Sequence, residues 1–200
     1  MNPLLFNRRQ AAAAALLTPL AWRSAPAAES MDSWADAFAA DWVRLSAGGA
    51  TFSQFFSGAE QAAFERELTP ITQAQRDKRN ALARRGLAEL ARFDAATLTP
   101  AQRDTAMLTA AQRAGAATIR WSLERTLAGA PYEDMAYVFS QQWGPQVRYV
   151  NLLTQTQNLR RPADVEAYLS RLSQVGARMG EALERQRESA AKGYLPPRFI

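Results

Sequence analysis

Large apolar residues recur at helical spacing along most of the chain. In residues 32–45 they fall at Trp34, Phe38 and Trp42, and a leucine follows three residues later. This spacing places three aromatic rings and a leucine on one face of a helix, as in a helix that packs on a core. The glycine pair at 48–49 is expected to end this helix.

Start and stop signals place the other helices. Ser57 and Glu60 have the form of a capping box, in which each side chain accepts from the other's backbone N–H. Thr99 followed by Pro100 is typical of a helix start, because a proline at the first helical position loses no hydrogen bond. Together the signals predict helices over residues 32–45, 58–68, 72–93, 99–127 and 162–192.

The predicted last helix carries a heptad pattern. Between residues 165 and 190 its apolar and small positions alternate four and three residues apart, which is the a/d spacing of a helix that packs along a partner helix. We expect this stripe, called the seam below, to pack antiparallel against a neighbouring helix of the same chain. The seam consists of Val165, Leu169, Leu172, Gly176, Met179, Leu183, Gln186 and Ala190.

Residues 132–151 break the helical rhythm, with many aromatic and amide side chains around Gly144 and Pro145. Two interpretations stay open. The segment is either a connector with buried aromatic residues or a loop shaped for binding, since loops on rigid scaffolds carry much of protein function. No convincing strand pattern occurs, so the predicted fold class is all-α, with about five helices in an antiparallel array.

The first 27 residues have the anatomy of an export signal. Arg8 and Arg9 precede an apolar run over residues 11–22, and a small-residue motif places cleavage between Ala27 and Ala28. The apolar run is shorter than the roughly 20 residues that a spanning helix needs. The arginine pair favours the twin-arginine route, with general secretion as the alternative.

This anatomy predicts the organisation of the chain and its location. The signal peptide takes residues 1–27 and the helical region takes residues 28–200. The protein is expected to be periplasmic or secreted and to meet a membrane only transiently during export. An alanine-rich first helix of a cytosolic domain is the alternative interpretation.

The net charge of the chain bears on the kind of molecule it binds. The chain has 24 Lys+Arg and 19 Asp+Glu, and the signal region holds three of the arginines and no acid. The remainder is close to neutral and has no long run of like charges, which gives no reason to propose nucleic-acid binding. The basic residues of the predicted 72–93 helix are typical of a solvated face rather than a phosphate site. They are Arg76, Lys78, Arg79, Arg84 and Arg85.

Catalytic motifs are missing from the sequence. It contains no cysteine and no histidine, so it lacks thiol nucleophiles, imidazole bases and the commonest soft metal ligands. Neither a glycine-rich phosphate loop nor a nucleophile elbow occurs. Acids such as Glu181 stand three or four residues before arginines such as Arg185, which is typical of surface pairing. We predict no catalytic residue and no metal ligand in this chain.

The order of features after residue 131 resembles a known family. An aromatic-Ser-Gln-x-x-Gly-x-Gln stretch at 139–146 precedes Asp-Val-Glu-x-Tyr-Leu-x-Arg-Leu at 164–172, and the runs ERQRESAAKGY and LPPRFI follow. This order is similar to the N-terminal half of the bacterial family catalogued as domain of unknown function 885 (DUF885). The helices before residue 131 fit the same order less specifically.

The resemblance implies a larger protein. Its members are longer exported helical proteins with an H-E-x-x-x-G-H-like segment in their C-terminal half, which makes them resemble zinc-dependent peptidases. By this resemblance the chain is the N-terminal helical region of an incomplete metallopeptidase-like fold, inactive alone. The implied partners are the missing C-terminal half and a peptide substrate. Zinc is expected only in a full-length relative.

The resemblance also gives the amide-rich turn a hypothetical role. Amide side chains pair with both the N–H and the C=O of a peptide, so we expect the turn to face substrate. Two alternatives stay open: a complete, non-catalytic periplasmic binding module that uses the seam or the aromatic face, and an enzyme that works with carboxylates and arginines alone. The candidate substrate-facing residues are Gln141, Gln142, Gly144 and Gln146.

Overall fold

A computed structural model describes residues 30–93 and 108–197 of the protein. These residues form helices and connecting turns and contain no strand, so the all-α prediction is confirmed for them. The predicted signal peptide, its cleavage site and the predicted helix start at Thr99 lie outside the described residues. The α-helices are α1 Met31–Arg44, α2 Ala47–Ser53, α3 Gly58–Phe64, α4 Gln73–Leu90, α5 Ala110–Gly129, α6 Pro145–Asn151 and α7 Pro162–Ala191.

The apolar core lies where α1 packs against α4 and α5. The predicted aromatic stripe of α1 is confirmed, since Trp34 and Phe38 are buried and stack with their ring centroids 5.2 Å apart. The Trp34 indole N–H donates to Glu89 Oε2 over 2.9 Å, which satisfies its polar atom. Leu90 of α4 and Leu123 of α5 complete this core.

A glycine allows the three helices to approach closely. A Cβ added at Gly86 of α4 would lie 2.5 Å from the Phe38 ring and 2.8 Å from Leu123 Cδ1. The absence of a side chain at this position therefore lets α1 and α5 both contact α4.

Three predicted boundaries are wrong. The glycine pair at 48–49 does not separate α1 from a loop, because Ser46 caps a new helix, α2, by accepting from the Gly49 N–H over 3.0 Å. The helix predicted over 58–68 ends at Phe64. The helix predicted over 99–127 is not continuous, because Leu108 and Thr109 are not helical and Thr109 forms a capping box with Gln112 at the start of α5.

The segment that breaks the helical rhythm is partly helical. A 3-10 turn over Ala130–Met135 follows α5, and α6 begins with Pro145 at its first position. A π-turn over Leu152–Thr156 continues from α6. Two predicted helices agree closely with the structure. The range 72–93 contains α4 and a short 3-10 extension, and the range 162–192 contains α7.

Helix α7 presents its polar side to the rest of the protein. Asp164, Arg171 and Ser189 are buried together with the small Ala167 and Ala182, whereas Leu169 and Leu172 of the seam are 50% and 47% exposed. Val165 and Leu183 of the seam are also nearly half exposed. The prediction that the seam packs within the chain is therefore wrong for the described residues.

The inward side of α7 binds backbone groups of residues 64–71, the end of α3 and the turn after it. The last carbonyls of a helix have no partner within the helix and must find one elsewhere. Arg171 donates to the carbonyls of Phe64 and Glu67 over 2.7 and 3.0 Å. Gln174 donates to Arg66 O over 2.7 Å and accepts from Leu68 N–H over 2.9 Å.

Arg171 is completely buried at this contact. It also donates to the Thr51 hydroxyl and to Gln157 Oε1. Burial lowers the pKa of Arg171 to about 10, partly offset by the negative charge of Glu65. The guanidinium therefore keeps its charge at neutral pH and donates to segment 64–71, to Thr51 and to Gln157.

We expect Gly86→Ala to destabilise the protein by about 1–3 kcal/mol, since the added methyl group overpacks the contact with Phe38 and Leu123. The control is Gly115→Ala in α5, where an added Cβ meets no atom within 4 Å. This change is expected to stabilise by up to about 1 kcal/mol through helix propensity. Urea unfolding followed by circular dichroism measures both, and an equal effect of the two changes would contradict this view of the core.

Arg171→Met is expected to lower the free energy of unfolding by about 3 kcal/mol or more, because it leaves several buried acceptors without a donor. Arg187→Met is the control on the same helix. Arg187 is exposed, and its one ion pair among the described residues is with the exposed Glu184, so its loss is expected to change stability by less than about 0.5 kcal/mol. Chemical unfolding of both variants separates the outcomes, and equal stabilities would rule out a central role for Arg171.

Candidate functional site

A cleft of about 720 Å³ lies between the α1–α2 junction, the start of α4 and α6. Residues of α1 and α2 form one wall, and residues of α6 form another. Pro70 and Ile71, which precede α4, also line it. Its size is within the range of small-molecule sites.

One part of the cleft is aromatic. Trp42, Phe52, Trp143 and Tyr149 all line it. Phe52 and Trp143 are 82% and 78% exposed, which is unusual for aromatic side chains and leaves their rings open to a ligand. Burial raises the pKa of the Tyr149 hydroxyl, so this group stays neutral and able to donate a hydrogen bond.

Another part of the cleft is basic. Arg76, Arg79 and Arg185 line it and surround Glu133. The Glu133 carboxylate forms ion pairs with Arg79 and, over 3.3 Å, with Arg76 Nε. Arg185 donates to the backbone carbonyl of Glu133 over 2.9 Å. Two guanidinium groups therefore pair with the Glu133 carboxylate, and a third binds its backbone carbonyl.

The electrostatics of this cluster are unfavourable for a protein without a ligand. Burial lowers the pKa of Arg185, and the positive charge of Arg76 lowers it further, while Glu133 opposes both effects. Arg76 Nη1, Arg79 Nε and Arg185 Nε are buried and have no hydrogen-bond partner among the described residues. Buried N–H groups without acceptors are uncommon and costly.

The interpretation of the basic residues of α4 as a solvated face is therefore only half correct. Arg84 and Arg85 are exposed, and Arg85 pairs with Asp41. Arg76, in contrast, is buried, and Arg79 is 40% exposed at its side chain and points to Glu133. The two arginines that bind Glu133 lie three residues apart on one side of α4, which is a signal that the sequence contained.

Sequence reasoning also misassigned Arg185. The predicted surface pair with Glu181 does not form, because Glu181 pairs with Arg178 over 3.1 Å and accepts from the Ile71 N–H over 2.7 Å. Arg185 therefore binds Glu133 instead. Spacing could have indicated this: Arg171, Arg178 and Arg185 stand seven residues apart, so all three lie on the same side of α7.

The structure places the four candidate substrate-facing residues in different settings. Gln142 lines the cleft, and Gln141 is exposed outside the set of lining residues. Gly144 is buried and precedes α6. The Gln146 side chain folds back and donates to the Ser140 carbonyl over 2.7 Å, which closes the turn. A substrate-facing role for these residues stays a prediction.

Within residues 30–93 and 108–197, no group of three or more histidine, cysteine or acidic side chains could hold a metal ion. A family model described as bacterial protein of unknown function (DUF885) matches residues 52–200, well over half of the chain. The chain belongs to the DUF885 family. Neither a curated protein nor a solved structure is significantly similar to it.

The DUF885 match includes most of the cleft. Of the lining residues, Phe52, the cluster arginines, Gln142 and Trp143 lie within the matched residues, whereas Trp42 precedes them. The whole of α7 also lies within the matched residues. In the part of this DUF885 chain that the structure describes, no helix is long and apolar enough to cross a membrane.

Glu133→Gln is expected to destabilise the protein by about 2 kcal/mol or more, because it removes the carboxylate that offsets three partly buried guanidinium groups. Glu184→Gln is the matched control, since Glu184 pairs with Arg187 in an exposed position. Its effect is expected to stay below about 0.5 kcal/mol. Thermal or urea unfolding measures both, and a stable Glu133→Gln variant would show that the cluster does not need this charge.

Proposed function

We propose that this DUF885 chain is the N-terminal helical region of an exported zinc-metallopeptidase-like protein. In this proposal its helices form one wall of a substrate cleft, and the zinc ligands belong to another region of the family protein. The chain itself has no cysteine or histidine. It is therefore expected to be inactive alone.

The observation that carries the proposal is the open seam of α7. This helix is 30 residues long, and the four large aliphatic residues of its seam that are exposed, Val165, Leu169, Leu172 and Leu183, are 43–50% exposed. Burying a valine or leucine side chain stabilises a protein by about 1.5–3 kcal/mol relative to leaving it exposed. Four such side chains on one line, each nearly half exposed, favour a complementary apolar helix as the partner.

The position of α7 suggests how the two regions would work together. The same helix supplies Arg185 to the cleft and presents the seam on another side. A helical region packed on the seam would lie near the cleft. It could then bring an H-E-x-x-x-G-H-like segment, with two histidines for Zn²⁺ and a glutamate as general base, toward a peptide held there.

The peptide would meet polar groups of the turn at 140–146. Gln142 lines the cleft, and Gln146 holds the shape of the turn through Ser140. In this proposal Gln142 pairs with substrate backbone, while Gln146 and Gly144 position it. A periplasmic or secreted location and the twin-arginine route are part of the same proposal, and they rest on the arginines and apolar run of residues 8–22.

A second candidate function is a non-catalytic periplasmic binding module. The observation that favours it is the cleft itself, whose aromatic and basic walls come from this chain alone. The two functions differ in what the seam does. A peptidase region needs the seam to hold the catalytic region, whereas a binding module could use the cleft without it.

The test mixes the protein with the separately produced C-terminal region of a full-length DUF885 protein that carries the H-E-x-x-x-G-H-like segment. We expect a one-to-one complex by light scattering and zinc-dependent cleavage of a peptide library that neither part shows alone. The double change Leu169→Glu and Leu172→Glu is expected to weaken association at least about tenfold, because it places two charges in the apolar contact.

The matched control is Ala163→Glu with Ala177→Glu. These positions are exposed on α7 and lie off the seam, so association should be unchanged. Circular dichroism first checks that both double variants are folded. Failure of the unchanged protein to associate, or equal association of both variants, would overturn the proposal.

A further inference from the structure

The arginine cluster of the cleft carries more positive than negative charge. Arg76, Arg79 and Arg185 contribute three positive charges, and Glu133 contributes one negative charge. Arg76 is only 8% exposed, so water screens its charge poorly. The cluster therefore holds an excess of two positive charges in a partly buried place.

The acids nearby do not remove this excess. Asp134 pairs with Lys192, and this contact lowers the pKa of the Asp134 carboxyl, as do the positive charges of Arg76 and Arg185. The opposite charges of Asp134 and Lys192 cancel, so this pair leaves the excess unchanged. Glu181 pairs with Arg178 and accepts from the Ile71 N–H. Both carboxylates are therefore already engaged by other groups among the described residues. Arg148, a fourth cleft-lining arginine, adds further positive charge.

The hydrogen bonding of the cluster is also incomplete. One N–H group of each of Arg76, Arg79 and Arg185 has no acceptor among the described residues. A guanidinium presents five donors in a planar fork, and two of them can bind one carboxylate side by side. Arg79 is 40% exposed at its side chain and lines the cleft, so its guanidinium is accessible to an anion there.

The wall beside the cluster is apolar. Trp42, Trp143 and Tyr149 line the same cleft, and Trp143 is largely exposed. Aromatic rings bind apolar and aromatic groups of a ligand through both burial and ring stacking. The site thus combines donors for an anion with a surface for an apolar body.

We propose that this cleft binds a small organic carboxylate with an aromatic or large apolar group. Its carboxylate pairs with the guanidinium groups of Arg79, Arg76 and Arg185, which line the cleft, and its apolar group lies on the Trp42 and Trp143 wall. A carboxylate fits because the cluster already holds one, that of Glu133, in the same manner. This site goes beyond the proposed function, since it needs neither zinc nor a second region.

The test uses the intrinsic tryptophan fluorescence of the whole chain and isothermal titration calorimetry. The probes are N-acetylphenylalanine, its neutral amide, acetate and inorganic phosphate. We expect saturable binding of N-acetylphenylalanine and at least about tenfold weaker binding of the amide, which lacks the charge, and of acetate, which lacks the ring. Equal binding of acid and amide, stronger binding of phosphate, or no binding of the acid would overturn the proposal.

Two variants locate the site. Arg79→Gln is expected to weaken N-acetylphenylalanine at least about tenfold. Arg84→Gln makes the same change on the exposed side of α4 and is expected to have no effect. Arg79→Lys keeps the positive charge but lacks the planar fork of donors, so its affinity for N-acetylphenylalanine should lie between those of the other two variants. Unfolding curves confirm that each variant is folded, and equal affinities of Arg79→Gln and Arg84→Gln would contradict the assignment.

The assay is also separate from the test of the proposed function. It contains no zinc and no C-terminal region, and none of its variants changes the seam. Loss of carboxylate binding would therefore leave the association through Leu169 and Leu172 unaffected. Loss of that association would leave carboxylate binding unaffected.

Discussion

The structure depends on the burial of one charged side chain, Arg171. Segment 64–71 connects α3 to α4, and its backbone carbonyls have no hydrogen-bond partner within a helix. These carbonyls need other donors before they can be buried. Arg171 provides several at once, with bonds to the carbonyls of Phe64 and Glu67 and to the side chains of Thr51 and Gln157. The contact is possible because a guanidinium has five donors and keeps its charge at neutral pH even when burial lowers its pKa to about 10.

This requirement determines which way α7 faces. A helix that must present Arg171, Gln174 and Glu181 to a backbone segment cannot also present its leucines there, since the two sets lie on different sides. The large apolar residues of α7 therefore lie on its outer side, whereas its inner side combines polar groups with the small Ala167 and Ala182. Arg185 follows from the same constraint, because it is two turns from Arg178 and four turns from Arg171 and so reaches Glu133 at the cleft.

Local signals in the sequence predicted the elements that local physics controls. The aromatic spacing of α1 placed Trp34 and Phe38 in the core, and the extents of α4 and α7 followed from caps and periodicity. What failed depended on distant partners. The seam had the pattern of a buried stripe, and only the unsatisfied carbonyls after α3 explain why Arg171 is buried instead. The glycine pair at 48–49 lies inside α2, because Ser46 caps that helix. Glu181 binds Arg178 and the Ile71 N–H instead of the predicted Arg185. Of the candidate turn residues, spacing alone could not separate Gln142, which lines the cleft, from Gln146, which binds Ser140.

The cleft and the seam are connected through α7, which gives the two proposals a shared physical basis. The polar side of this helix meets segment 64–71 near its middle and Glu133 nearer its end, so hydrogen bonds hold α7 at both places. Such bonds need specific geometry, whereas an apolar stripe tolerates small rotations. A partner on the seam would thus act on a helix whose orientation is already fixed, and the positions of Arg185 and of the other cluster arginines would be set before the partner binds. Preorganisation of this kind lets a charged site hold its shape in the absence of a ligand, and in the two proposals the charge of the cleft and the contact of the seam belong to two sides of one helix.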